Sequence, residues 1–310
     1  MKNIWITGAK GFVGLHLSKS LGKKKYNVYG IGNYKNSSSQ NTAPLFKNFV
    51  RGNINDSNLK KLYNYSGCPD IIFHLAGGSS VGQSIRNPLL DFKKTVLSTS
   101  NLLEFFRKKN FNSKIIFASS AAVYGDIHNE PINENDKCEP FSPYGCNKFI
   151  AEKLLDTYSK NFNIHSCVIR FFSIYGVESK KQLIWDICTK LNQNKKAIEL
   201  FGNGKEMRDW IYIKDAVKLL IMASDSSKNK AKEISIFNGS SGYHHSVKEI
   251  LNQICSLMEL NPLISFNKNT RVGDPNSLIG SNLKAQQLLG FKPDFDINNG
   301  LNEYISWFKL

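Results

Sequence analysis

Apolar residues fall along this chain in short runs that alternate with longer stretches of helical spacing. Residues 3–6 (Asn-Ile-Trp-Ile) form the first run and predict a buried strand. Phe12, Val13, Leu15, Leu17 and Leu21 then recur as one side of a helix. The alternation repeats: residues 27–31, 49–50, 70–75, 114–118 and 164–171 predict further strands. Helices are expected over 56–63, from Asn87-Pro88 in one long stretch through Leu103 and Phe106, and from Pro143 through Tyr158. Strand followed by helix throughout predicts an α/β fold, a parallel sheet with helices on both faces. Beyond residue 171 the pattern loosens into a helix (183–191), a short strand (198–200), an apolar run (208–213), a helix (215–223) and a last sheet strand (235–238). From Gly242 onward the expectation is helices joined by loops, punctuated by Pro262, residues 271–275 and Gly290. This broken portion predicts a small lid over the carboxyl edge of the sheet, where ligands bind in doubly wound folds.

The first strand and helix are joined by TGAKGFVG, residues 7–14. A strand, then glycines at Gly8, Gly11 and Gly14, then a helix is the context in which a glycine motif points to a dinucleotide. The first glycine permits a tight turn, the second lets a pyrophosphate approach bare backbone, and the third lets the helix pack closely on the strand. Free N–H groups and the positive end of the helix dipole then face the phosphates. The acid that usually follows the second strand and binds the adenosine ribose is missing; residues 32–35 are Gly-Asn-Tyr-Lys. Asn33 can still bond a hydroxyl, and Lys35 with the neighbouring serines could take a 2′-phosphate, so the choice between NAD and NADP stays open.

A second constellation is Ser142-Pro143-Tyr144-Gly145-Cys146-Asn147-Lys148. Serine is a good N-cap and proline a good first helical residue, so Tyr144 falls in the first turn and Lys148 one turn on, on the same face. The cation and the helix dipole are both expected to favour a phenolate, which a tyrosine needs to act as a base near neutral pH.

Bulk properties narrow the reading. The 310 residues are 41% hydrophobic, ample for a large core, and carry a formal charge of +16. The lysines are scattered in pairs such as Lys60-Lys61 and Lys108-Lys109, which does not make the clustered footprint of a nucleic-acid binder. No apolar run approaches the roughly 20 residues needed to span a bilayer, so no membrane partner is expected. The six cysteines form no CxxC and no metal-ligand spacing, so no metal is expected. Reduced cysteines and a first strand that starts almost at once predict a cytoplasmic protein.

Seven stretches in order resemble the extended short-chain dehydrogenase/reductases, especially the UDP-glucose 4-epimerases and related nucleotide-sugar enzymes. They are TGAKGFVG (7–14), FHLAGGSSVGQS (73–84), FASSAAVYG (117–125), SPYGCNK (142–148), RFFSIYG (170–176), GNGKEMRDWIYIKD (202–215) and TRVGDPNSLIGSNLKAQQLLGFKP (270–293). The resemblance implies a Rossmann-type doubly wound parallel sheet with a smaller mixed C-terminal substrate-binding lobe. The dinucleotide-binding domain would be 1–175, its sheet completed by about 208–240; residues 176–207 and 241–310 would form the lobe. By the same resemblance Tyr144 is the base on the sugar hydroxyl. Lys148 binds the nicotinamide ribose and depresses the tyrosine's pKa, and Ser120 bonds the reacting hydroxyl. Cofactor contacts are implied at Gly8, Gly11, Phe12, Val13, Gly14, Asn33, Asn53, Ile54, Leu75, Ala76, Gly77, Tyr144 and Lys148. Substrate contacts are implied at Ser79, Ser120, Ser173, Arg208, Arg271 and Asp274, the two arginines meeting a diphosphate through forked, charge-assisted bonds. Family habit implies a homodimer through the helices that follow Pro88 and Pro143.

The sequence also departs from the family pattern. Asn53 stands where an Asp is common near the adenine, Thr95 where an Asn is usual, and Ser173 where RxFN has its Asn. The related 4,6-dehydratases carry an Asp-Glu pair directly after the serine or threonine; here Ala121 and Ala122 follow Ser120 and can move no proton. The expected activity is NAD(P)-dependent hydride transfer at the 4-position of a nucleotide-diphosphate sugar, with a 4-epimerase as the leading reading. A 4-dehydrogenase or 4-ketoreductase is the alternative, and a non-catalytic dinucleotide- or RNA-binding scaffold a distant one.

Overall fold

The structure, a computed structural model, describes all residues except 24–25, 34–44, 127–130, 227–232, 270–272 and 274. It divides into two compact units: Met1–Val123, Pro140–Arg170 and Val217–Phe237 form the first, and Tyr124–Glu139, Phe171–Ala216 and Asn238–Leu310 the second.

The chain begins β1 (Asn3–Thr7), α1 (Phe12–Gly22), β2 (Asn27–Gly32), β3 (Asn48–Arg51), α2 (Asp56–Ser66) and β4 (Ile71–His74). It continues α3 (Val81–Arg86), α4 (Pro88–Phe92), a π turn (Lys93–Leu97), α5 (Ser98–Lys109) and β5 (Lys114–Ser120). A 3-10 turn (Ala121–Val123), α6 (Pro143–Phe162) and β6 (Ser166–Phe171) follow. Next come β7 (Ser173–Tyr175), α7 (Gln182–Gln193), β8 (Ala197–Leu200), β9 (Met207–Tyr212), α8 (Ile213–Asp225) and β10 (Ser235–Gly239). The last elements are β11 (His244–Ser246), α9 (Val247–Leu257), β12 (Leu263–Phe266), β13 (Ser277–Leu278), α10 (Leu283–Leu289) and α11 (Ile297–Phe308).

The central sheet has seven strands in the order β10-β6-β5-β4-β1-β2-β3. β1 pairs in parallel with β2 and β4, β2 with β3, and β4 with β5. The strand order reverses direction between β1 and β4, and that switch point is where doubly wound sheets hold ligands, outside the carboxyl ends of the strands. β4 and β6 are buried at every position, as expected of strands covered on both faces. One side of the first unit is an aromatic cluster. Trp5 is fully buried and meets Phe106 edge-on at 6.0 Å between ring centroids, with Phe105, Phe111 and Tyr63 beyond. The Trp5 indole donates to Ser66 Oγ at 2.7 Å, so its one polar atom is satisfied inside the core.

Two sequence expectations need correction. The single long helix from Pro88 through Phe106 is interrupted by the π turn at Lys93–Leu97. There the Ser98 and Thr99 hydroxyls donate back to the Lys94 and Thr95 carbonyls at 2.5 and 2.7 Å and take up part of the widened ladder. The region after Gly242 is more than helices and loops. β11 pairs antiparallel with β9, β13 pairs parallel with β9, and β12 pairs parallel with β8. Strands of two to four residues are too short for an alternating pattern to register.

Within the second unit, Asp209 on β9 is wholly buried. It accepts bonds from Ser240 Oγ, Ser241 N and Gly242 N at 2.7, 2.8 and 2.9 Å. Burial nevertheless pushes its carboxyl up to about 6, against those bonds and the nearby His244. Among the described residues no helix is long and apolar enough to cross a membrane, and no cluster of three or more His, Cys, Asp or Glu is placed to hold a metal.

Candidate active site

The carboxyl ends of β1, β4 and β5 lie side by side in the first unit, with Thr7 level with His74 and His74 level with Phe117. The loop after β1 is the glycine turn. Gly8 has φ +66°, in the left-handed region, and a Cβ there would stand 2.9 Å from the Leu75 carbonyl carbon and the Ala76 nitrogen. A Cβ on Gly14 would overlap the Gly8 carbonyl oxygen, so α1 can sit this close to β1 only with glycine there. The first bond of the helix is Leu15 N–H to the Gly11 carbonyl, 2.9 Å. The N–H groups of Phe12, Val13 and Gly14 therefore precede the helical ladder, no side chain caps them, and no acid sits in the first turn. Past β2 and β3, the Asn33 amide donates to Asn53 Oδ1, and Asn58 Nδ2 donates to the Asn53 carbonyl at 2.9 Å. Two amides thus stand paired where an acid is common. Ile54 beside them is buried, and Lys35 lies outside the described residues.

The segment after β4 is held by a hydrogen-bonded chain through the core. Ala76 N–H donates to Thr7 Oγ1 (3.1 Å), which lies 2.7 Å from His74 Nδ1; His74 Nε2 lies 3.0 Å from Thr99 Oγ1, whose proton goes to the Thr95 carbonyl. Thr99 must then accept, so Nε2 carries the imidazole proton and Nδ1 accepts from Thr7. Thr95 Oγ1 in turn accepts from Gly78 N–H at 2.8 Å. The whole Leu75–Gly78 segment is thereby tied to β1 and to the π turn. Burial first, and the Lys148 charge second, lower the His74 pKa from its ordinary value of 6.5 to about 3. The unfolded chain takes up a proton that the folded chain refuses between those two values. The stability His74 supports is therefore complete above about pH 6.5 and is lost as pH falls toward 3. We expect the unfolding free energy from denaturant titrations to change less steeply with pH over this window in His74→Gln, by about 1 kcal/mol per pH unit; parallel slopes would contradict a neutral buried imidazole.

The start of α6 supplies the reactive groups. Ser142 caps the helix by accepting from Gly145 N at 3.1 Å, and Pro143 is its first residue, as the sequence implies. Tyr144 N–H donates to Ser84 Oγ at 3.0 Å, and its phenol is hydrogen-bonded to Ser120 at the end of β5. Ser120 Oγ also accepts from Ala122 N–H at 3.2 Å. Lys148 is buried; its Nζ donates to the Ala118 carbonyl at 2.7 Å and stands 5.9 Å from the Tyr144 ring centroid. Ser120, Tyr144 and Lys148 are thus brought together at the mouth of the sheet.

The expected phenolate is a correction. In the protein alone, burial pushes the Tyr144 phenol above its usual value, the Ser120 bond works the other way, and Asp91 adds to the rise. Burial also lowers Lys148 from 10.5 to about 8, against the pull of Asp91 and Glu152. The ammonium helps Tyr144 less than the spacing alone suggests, because desolvation of both groups is the larger effect.

The remaining implied residues are placed as follows. Ser79 is exposed in the loop between β4 and α3. In the second unit Ser173 opens β7 opposite Trp210 of β9. Arg208 on β9 donates from Nη1 to the Met207 carbonyl (2.8 Å) and the Asn276 carbonyl (3.3 Å), and from Nη2 to the Pro275 carbonyl (2.6 Å). Arg271 and Asp274 lie outside the described residues. Sequence reasoning missed Asp91, a buried acid on α4, and the buried Glu152–Arg170 pair, whose Nη2 to Oε2 distance is 2.8 Å. Asp91 reads in the sequence as an ordinary first-turn acid; the neighbouring Gly77-Gly78, which make room for something, were the available signal.

With this geometry the comparisons with known proteins agree. The family model described as GDP-mannose 4,6 dehydratase matches residues 5–304. An Arabidopsis thaliana protein named UDP-glucuronate 4-epimerase 2 is 28% identical over 328 residues, covering 99% of this chain and 75% of that protein. The Thermotoga maritima UDP-glucose 4-epimerase, solved with UDP-glucose, is similar at a TM-score of 0.88 and 26% identity, covering 99% of this chain and 98% of that one. The Bacillus cereus UDP-glucuronic acid 4-epimerase, solved with UDP-glucuronic acid and NAD, matches at 0.88 and 26%, covering 99% of each chain.

Proposed function

The chain belongs to the extended short-chain dehydrogenase/reductases, in the family described as GDP-mannose 4,6 dehydratase, and we propose that it is an NAD-carrying 4-epimerase of a UDP-linked hexose. The observation that carries this reading is the triad of Ser120, Tyr144 and Lys148, with Ala121 and Ala122 directly after Ser120. The triad can move a proton at a sugar hydroxyl. The alanines, in the 3-10 turn after β5, can move none, which separates this chain from the dehydration that its family description names.

The residues fit NAD. The uncapped, acid-free start of α1 presents N–H groups to a pyrophosphate, and the glycine turn leaves its backbone bare. Asn33 offers an amide to the adenosine ribose in place of an acid, and Asn53, bonded to it, offers one near the adenine. Lys148 and Tyr144 would hold the nicotinamide ribose. When bound, NAD supplies the acceptor and then the donor for the hydrogen at C4. In its ionised form, the minor one that rising pH populates, Tyr144 takes the O4 proton as the carbinol is oxidised and gives it back as the ketone is reduced. Ser120 orients O4 by a hydrogen bond, and Lys148 places a positive charge beside the phenol. Arg208 and Arg271 are assigned to the diphosphate and Asp274 to the substrate by the family resemblance.

Two further readings rest on surface and composition. Leu89, Leu90, Phe92 and Leu97, along α4 and the π turn, are 62%, 44%, 41% and 45% exposed, and Ile150 on α6 is 42% exposed. Such an apolar strip on two helices supports a homodimer, which light scattering would read as about twice the mass of the chain. Six free cysteines support a cytoplasmic setting. The activity is tested by incubating the purified protein, with no cofactor added, against UDP-, GDP-, dTDP- and CDP-hexoses. Epimer formation from a UDP-sugar is expected; turnover that needs continuous supply of NAD or NADH would favour the dehydrogenase or ketoreductase instead.

A further inference from the structure

Gly77 and Gly78 are adjacent residues whose missing side chains make room for two opposite charges. A Cβ on Gly77 would stand 3.1 Å from Lys148 Nζ, and a Cβ on Gly78 would overlap Asp91 Oδ1. Asp91 is 5% exposed, and its Oδ2 accepts from Asn147 Nδ2 at 2.8 Å. Asn147 is the residue before Lys148 and lies one turn beyond Tyr144, so this single bond fastens α4 to the turn of α6 that carries both reactive side chains. Neither the glycine turn nor the Ser120 contact uses this carboxylate, and at Tyr144 its charge only adds to the rise of the phenol's pKa.

We propose that Asp91 is a positioning residue, a buried carboxylate that keeps Lys148 as an ammonium and locks the first turns of α6 through Asn147. A lysine buried to 4% exposure loses hydration that favours its charged form. Nearby carboxylates are the means of offsetting that loss. The charged groups facing Lys148 are Asp91 from α4 and Glu152 from its own helix; His74 on β4 is neutral, and Tyr144 is a protonated phenol. Glu152 is engaged by Ser119 Oγ at 2.5 Å and by the Arg170 guanidinium, so its field at Lys148 is partly cancelled. Asp91, bonded by a neutral amide, acts undiminished.

The proposal rests on the reading of Lys148 and Tyr144 as the reactive pair, and its test separates the two. In lysine-labelled protein the Lys148 side-chain NMR resonance is assigned by its absence in Lys148→Arg and followed against pH. The midpoint is expected near 8 in the parent chain. Asp91→Asn keeps the shape and a hydrogen bond to Asn147 but removes the charge, and the midpoint is expected to fall by on the order of one pH unit. The alkaline limb of kcat/KM should move to lower pH by the same amount, because Lys148 loses its proton sooner. Asn147→Ala keeps the charge and removes the bond; its midpoint should stay with the parent while its turnover drops. A Lys148 midpoint unchanged in Asp91→Asn would overturn the proposal, whatever the sugar turns out to be. A shifted midpoint with no epimerase activity in the parent chain would sustain the electrostatic role and defeat the reaction assigned to the site.

Discussion

Tyr144→Phe lowers turnover by on the order of 10² to 10⁴ while the fold stays intact and NAD is still held by the glycine turn and Lys148. The fold is kept because what Tyr144 gives to α6 is backbone: its N–H bonds Ser84, and the cap between Ser142 and Gly145 does not involve the ring. Only the hydroxyl goes, and with it the atom that Ser120 bonds. The loss should fall equally on kcat and kcat/KM, the pattern of a group that acts in the transition state and not in ground-state binding. Because burial raises the phenol's pKa, the parent rate should increase with pH until Lys148 begins to lose its proton near 8. Turnover within a few-fold of the parent in Tyr144→Phe would remove Tyr144 from the chemistry.

The second large effect is on stability. Arg170→Leu should cost on the order of 3–5 kcal/mol, because it leaves Glu152 buried without its cation. Glu152 is 2% exposed and Arg170 3%; the guanidinium contributes Nε and Nη2 to both carboxylate oxygens at 2.8–3.2 Å. Ser119 Oγ is the other partner, so α6, β5 and β6 meet at one buried charge. The double variant Glu152→Leu with Arg170→Leu should recover most of the loss, since replacing both members of a buried pair by apolar residues removes the unpaired charge as well as the pair. Denaturant midpoints measure both. A double variant no more stable than Arg170→Leu alone would show that the cost is lost packing and not an unpaired carboxylate. Glu152 stands one turn beyond Lys148 on α6, so this pair fixes the depth at which the reactive face of the helix is seated.

What was legible in the sequence was local. The glycine turn declares itself because three glycines in eight residues sit between an apolar run and a helical period, and the structure needs them for space at Gly8 and Gly14. The start of α6 declares itself because Ser142-Pro143 is a cap followed by a residue suited to the first turn, which fixes the Tyr144 and Lys148 positions. All seven central strands were visible as apolar runs, from the two residues 49–50 in β3 to the stretch 164–171 around β6, with β10 as the run at 235–238. What was not legible depends on contacts far apart in the chain. Asp91 meets Asn147 across 56 positions, and no local pattern distinguishes it from a solvated helix acid. The π turn, where the Ser98 and Thr99 hydroxyls bond the Lys94 and Thr95 carbonyls, is a departure too small to disturb apolar spacing. The pKa of Tyr144 was misjudged because spacing reports a neighbouring cation but says nothing of desolvation.

The most direct measurement uses UDP-glucose or UDP-glucuronic acid carrying deuterium at C4 of the sugar, incubated with the purified protein and no added cofactor. A 4-epimerase in which Tyr144 moves the O4 proton and bound NAD carries the C4 hydrogen predicts the 4-epimer with its deuterium retained at C4. Deuterium released into free NADH, or into solvent, with no epimer formed, would contradict it.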